Sequence, residues 1–124
     1  MKLKIDPADR VFSQYIRLRD RECKRCHSPV KINDKGLPVS HQASHFQGRR
    51  KENTRFEEFN VDTLCTGCHM YFTANPAEHY AWQIEQKGQE AVDNLVLASN
   101  TYCKKDRNLW FIYWGKRLKD IQNT

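Results

Sequence analysis

Two cysteine pairs of identical spacing mark where this chain could do chemistry: CKRC at 23–26 and CTGC at 65–68. A Cys-x-x-Cys pair closes a tight knuckle on one ion. Two pairs complete the tetrahedral four-sulfur shell that structural zinc prefers. We therefore expect Cys23, Cys26, Cys65 and Cys68 to share one Zn2+. The 38 residues between the pairs (27–64) exceed zinc-ribbon spacing, so a sizeable insertion is enclosed. Spacing alone leaves two alternatives, a pair of redox motifs or plain buried thiols. Cys103 falls outside the scheme and reads as a small, semi-buried hydrophobe. His69 follows the second pair directly, Asn60 lies nine residues before it, and "SHQASHF" supplies His41 and His45. A zinc knuckle uses only the thiols, which leaves these imidazoles and the amide for other work.

The bulk composition bounds the answer. With 124 residues the default is a single domain. Only 39% of residues are hydrophobic and 29% are charged, so the core is thin and a metal staple suits it. No apolar run approaches the roughly 20 residues of a membrane span. The opening MKLKIDPADR lacks the apolar stretch of a signal peptide, which points to a reducing cytoplasm where thiols bind metal more readily than they pair. The net charge of +6 lies entirely in residues 1–60, with 14 Lys and Arg against 8 Asp and Glu; residues 61–124 balance at 7 against 7. Such a concentrated field suits a polyanion, and a solvated basic surface would read the same way.

The elements that must position these groups follow from periodicity. Asp6-Pro7 reads as an N-cap and first helical residue, and Val11, Tyr15 and Leu18 fall at helical spacing, which predicts a helix over 7–20. Residues 21–46 carry turn signals and then favour a strand over 41–46. Residues 47–60 read as a polar loop, followed by a short helix near Cys68. "NPAEHYAWQIEQKG" predicts a helix over 76–87, with Asn75 as cap, Glu78 at N3 and Gly88 as stop. Further helices are expected over 89–98 and 107–121, the last capped by Asp106. Its stripe of Trp110, Tyr113, Trp114, Leu118 and Ile121 reads as core, with a dimer interface as the alternative. His27 and His79 read as surface residues. No internal repeat is present.

The order Cys-x-x-Cys, Ser-His-Phe, Asn-x-x-x-Leu-Cys-x-x-Cys-His resembles the HNH endonucleases, which have a ββα-metal (His-Me finger) core. Within them the chain looks most like the lambda NinG/Rap group of phage recombination nucleases. The matching segments are DRECKRC, ASHF, TRFEEFN and LCTGC, with GQEAVDNL at 88–95 supporting the subgroup. The resemblance covers roughly residues 20–98. It implies an α+β fold with a small ββα-metal core, a four-cysteine zinc knuckle pair, an N-terminal helix and C-terminal helices. The divisions would be 1–20, 21–75 and 76–124 of one HNH nuclease domain.

The resemblance also implies roles. His45 would be the general base that takes a proton from water, His69 would ligate a catalytic Mg2+ or Mn2+, and Asn60 would hold the loop that orients His45. The products would be 5′-phosphate and 3′-hydroxyl ends. Many relatives carry Asp just before the base as second metal ligand, where this chain has Ser44, a weaker ligand. The NinG-like pattern can instead carry Asp three residues before the base, where this chain has Gln42. His41 could substitute only if the strand bends, since residues 41 and 45 of an extended strand lie roughly 13 Å apart at about 3.3 Å per residue. With a nuclease core in place, Arg49, Arg50, Lys51 and Arg55 of the basic loop are expected to contact DNA phosphates, with little base readout. The implied partner is duplex or branched DNA, as in recombination intermediates. A homodimer would fit symmetric cutting of a four-way junction. The setting would be the cytoplasm of a bacterial host, with a phage or prophage origin. The missing Asp at 44 motivates the alternative of a non-catalytic, zinc-stabilised DNA-binding module.

Overall fold

The computed structural model describes residues 4–123; residues 1–3 of the N-terminal segment and residue 124 of the C-terminal part lie outside them. Helix α1 spans Pro7–Asp20. The Asp6 carboxylate accepts from the Ala8 amide at 3.0 Å, and the Asp9 carboxylate accepts from the Asp6 amide at 2.8 Å. Two helix-end donors are thereby satisfied, and Pro7 has no N–H to lose. Arg21 ends the helix in the left-handed region at φ 60. One stripe of α1 buries Ala8, Val11, Phe12, Tyr15, Ile16 and Leu18 against Trp114 and Leu118 of α6 (Arg107–Gln122). The Trp114 ring lies 4.8 Å from Phe12 and 5.0 Å from Tyr15. Trp110 and Ile121 pack on the same cluster, whereas Tyr113 stays 44% exposed. The expected aromatic stripe is therefore core for all but one of its members.

Strands β1 (Gln42–His45) and β2 (Val61–Leu64) pair antiparallel, with Gln42 opposite Leu64, Ala43 opposite Thr63, Ser44 opposite Asp62 and His45 opposite Val61. Opposed residues share a face, and neighbours in sequence alternate. The Val61 and Thr63 face meets α1, where the Thr63 hydroxyl donates to the Ile16 carbonyl at 3.2 Å. The Asp62 and Leu64 face meets α3 (Thr66–Ala74) and α4 (Pro76–Lys87). There Leu64 packs with Cys23, Cys68 and Phe72, and Asp62 accepts from Gln83 at 2.9 Å. Residues 47–60 are more ordered than a plain loop: they hold a short helix α2 (Glu52–Arg55) and a 3-10 turn (Glu58–Asn60).

Helix α4 begins and ends where Asn75-Pro76 and Gly88 place it, but Asn75 does not cap it with its side chain. The amide donates instead to the Tyr71 carbonyl at 2.9 Å, and Glu78 is taken by the Tyr71 hydroxyl. Helix α5 (Gln89–Ser99) follows directly. His79 is not a simple surface residue. Its ring stacks on Phe72 at 4.6 Å and its Nε2 meets the Gln83 amide at 3.1 Å. Among the described residues no helix is long and apolar enough to cross a membrane.

Candidate metal centre and cleft

The two knuckles come together as their spacing requires. The four sulfurs of Cys23, Cys26, Cys65 and Cys68 lie within 4.8 Å of one another, and Cys26 Sγ stands 3.6 Å from Cys65 Sγ. A zinc ion with bonds of about 2.3 Å spaces tetrahedral sulfurs roughly 3.8 Å apart, so the cage has the right size. The amides of Cys26 and Cys68 each donate to the first sulfur of their own knuckle at 3.4 Å. Arg25 Nη1 reaches Cys68 Sγ at 3.5 Å. Burial pushes the Cys68 thiol up to about 12, with Arg25 opposing, while bonds from Ser28 draw Cys26 down to about 6. A bound dication would favour the thiolate at all four sulfurs. The cluster can hold a structural metal such as zinc, and it ties residue 23, after α1, to residue 68 in α3.

Among the described residues the sheet has two strands, so β1 has an open edge. Along that edge runs a cleft of about 760 Å³ between α1, the start of α3 and the loop after β1. His45 and His69 both line it, with His41, Gln42 and Arg49. The His45 Nε2–H donates to the Arg55 carbonyl at 2.9 Å. A carbonyl only accepts, so the proton sits on Nε2 and Nδ1 is left as the basic nitrogen. Burial pulls His45 down to about 4, against a smaller opposing effect of that hydrogen bond. The ring is therefore neutral at pH 7.

Asn60 is fully buried behind this arrangement. Its amide nitrogen donates to the carbonyls of Gln47 at 2.9 Å and Thr54 at 3.0 Å, and its oxygen accepts from the Gln47 amide at 2.8 Å. It thus staples together the two ends of the segment 47–54 that leads into Arg55, whose carbonyl holds the His45 ring.

His69 follows Cys68 in the first turn of α3, and its Nδ1 meets the side-chain oxygen of Gln42. Burial also draws its ionisation down. Gln42 and His69 thus bring an amide oxygen and an imidazole together in the cleft; to ligate a cation with Nδ1, His69 would carry its proton on Nε2 instead of donating to Gln42. They fit a divalent cation in part. Neither is a carboxylate, so phosphate oxygens and waters would have to complete the shell.

Three expected site residues are placed differently. Ser44 is 3% exposed, paired opposite Asp62, and is not among the residues that line the cleft. His41 does line the cleft, and its backbone bends at φ 66. Both of its ring nitrogens are already engaged, however: Nδ1 with Ser40 Oγ at 3.0 Å, and Nε2 with the Ser28 carbonyl at 3.0 Å and hydroxyl at 3.1 Å. Arg55 is not at the surface. Its guanidinium is 2% exposed and makes a bidentate pair with Asp9 of α1 at 2.9 and 2.5 Å, plus bonds to the carbonyls of Arg49 and Lys4. Four of its five N–H donors are thus spent inside the fold, and the group is closed to solvent. Arg50 is exposed, and Lys51 reaches Asn100 Oδ1 at 2.9 Å.

Periodicity does not single out Arg10, Ser13 and Arg17, which α1 turns into the same cleft. Their spacing is visible in the sequence, but a polar stripe on an amphipathic helix ordinarily means a solvated face.

Comparison with known proteins gives a family match. The family model described as bacteriophage lambda NinG protein matches residues 2–109 of this chain. No curated protein and no solved structure matches it.

Proposed function

The chain belongs to the bacteriophage lambda NinG family, and from that premise we propose that it is a metal-dependent DNA endonuclease of the HNH type that acts on recombination intermediates. The observation that carries the proposal is the shared cleft: His45 from β1 and His69 from the start of α3 line one groove at the open edge of the sheet. The order β1, β2, α3, with the two imidazoles at these places, supports a ββα-metal reading.

In this reading His45 acts as general base. Its Nε2–H is pinned on the Arg55 carbonyl, so Nδ1 faces the reaction and takes a proton from the attacking water. Asn60 fixes the segment that positions that carbonyl. Gln42 and His69, rather than Ser44 or His41, would hold the divalent cation, which when bound supplies Lewis-acid stabilisation of charge on the phosphate and the departing 3′ oxygen. The imidazole donor suits Mn2+ better than Mg2+. Arg49 lines the cleft and would take a flanking phosphate.

The lack of a carboxylate beside His69 favours a second reading, a zinc-stapled module that binds DNA without cutting it. Purified protein incubated with supercoiled plasmid and Mn2+ separates the two. The endonuclease nicks the plasmid, and His45→Ala does not. A gel shift that needs no added Mg2+ or Mn2+, with no nicking by wild type in Mn2+, would establish the binding module instead.

A further inference from the structure

Helix α1 supplies three residues to the cleft that the nuclease reading has not used. Arg10, Ser13 and Arg17 stand at i, i+3 and i+7, so they form one stripe of the helix, facing β1 across the groove. Arg17 is the most defined of them. Its Nε donates to the Ser13 carbonyl at 3.3 Å and its Nη1 to the Ser40 carbonyl at 3.2 Å. The head group is thereby held in place, and the N–H groups of Nη2 remain for another acceptor.

The charge of Arg17 lacks what its neighbours have. Arg19 pairs with Asp20, Arg55 with Asp9, and Arg107 with Glu52. Among the described residues no carboxylate pairs with Arg17. Burial alone moves its ionisation, downward, whereas Arg19 and Arg107 are raised by carboxylates, Arg25 chiefly by the Cys68 sulfur and Arg117 by tyrosine hydroxyls. A half-buried, pre-oriented guanidinium with only neutral carbonyls around it is incomplete without an anion.

The direction of the stripe can also be read. Phe12 of α1 lies against His45, and Arg17 lies against Ser40, just before β1. The helix therefore runs antiparallel to β1. Arg17 sits at the Gln42 end of the cleft and Arg10 toward the His45 and Arg49 end. Seven residues of helix span about 10 Å, equal to the axial rise of roughly three base pairs at about 3.4 Å each.

We propose that the α1 stripe is a phosphodiester-binding wall, in which Arg17, supported by Arg10, grips the backbone of the strand that lies along β1. The proposal rests on the reading of this cleft as a nucleic-acid site. It assigns part of that binding to α1, outside both the zinc-stapled segment and the basic loop.

The test is fluorescence anisotropy with a labelled 20-base-pair duplex and zinc-loaded protein, without Mg2+ or Mn2+, across a salt series. Arg17→Gln should weaken binding about five- to tenfold and flatten the slope of log K against log salt by about 0.9, the value of one phosphate contact. Arg17→Lys, which keeps the charge, should restore the slope; Lys119→Gln on α6 should not change it. Should Arg17→Gln fail to fold, Arg10→Gln, at an exposed position of the same stripe, must show the slope loss. An unchanged slope overturns the proposal, and so does wild-type protein that does not bind the duplex. Plasmid nicking by wild type with an unchanged Arg17→Gln slope leaves the nuclease reading standing alone. A slope loss without nicking leaves the phosphate wall and removes the nuclease.

Discussion

At the scale of single residues, the chemistry turns on which nitrogen of His45 is free and on what accompanies His69. His45 is held near 4 in the fold, against 6.5 when unperturbed. As pH falls through 6.5 the unfolded chain takes up a proton that the folded chain refuses. Stability contributed by the neutral ring is therefore complete above about 6.5 and is lost progressively down to about 4, by roughly 3 kcal/mol at most. The same shift keeps His45 in the neutral form that the proposed general base requires through that window. The limb of kcat/KM assignable to His45 should lie near pH 4 to 5 in a pH–rate profile, and a limb at the ordinary imidazole value would show that the buried ring is not the base. Gln42 tests the cation site. Gln42→Glu puts a carboxylate beside His69 and should tighten Mn2+ binding at least tenfold in a titration that follows Mn2+ by electron paramagnetic resonance. No change in affinity would mean that residue 42 does not face the ion.

At the scale of elements, the shape of the cleft depends on how helices and loops are fastened to one another. The Arg55–Asp9 pair joins the segment after β1 to α1, and both partners are buried. Arg55→Ala leaves the Asp9 carboxylate buried without its partner and should cost about 3–5 kcal/mol in urea denaturation. A cost below about 1 kcal/mol, the range of exposed ion pairs, would put Arg55 back among the surface cations. This pair also shows where sequence reading stops. Asp6-Pro7, Asn75-Pro76 and Gly88 announce the limits of α1 and α4 because caps and stops are local events. Arg55 and Asp9 are 46 residues apart, and nothing local distinguishes a buried arginine from one that meets a phosphate. Ser44 departs from expectation for a related reason. The backbone turns at His41, and pairing with β2 seats Ser44 opposite buried Asp62, a partner far along the chain that the local sequence does not reveal.

At the scale of the whole molecule, the described residues form two small apolar clusters that flank a two-stranded sheet, and the four-cysteine cage closes one of them. The cage is legible in the sequence because Cys-x-x-Cys spacing directly encodes a knuckle. The α1 wall of the cleft is not, because it exists only once α1 is packed antiparallel to β1. With so few apolar residues, the fold is expected to lean on a metal held in the cage. Zinc removal with a strong chelator, or Cys65→Ser, should lower the melting temperature by roughly 10 °C or more in circular dichroism. An unchanged melt would reduce the cage to an ornament of an otherwise self-sufficient core.

If His45 and His69 serve phosphodiester hydrolysis in one cleft, the ends of the cut strand carry its signature. Plasmid incubated with zinc-loaded protein and Mn2+ should acquire nicks that DNA ligase reseals without any end repair, because water attack with a 3′ leaving oxygen yields 5′-phosphate and 3′-hydroxyl termini; His45→Ala should produce none. Intact plasmid after incubation with wild type, or equal nicking by His45→Ala, would rule out hydrolysis by His45 in this cleft.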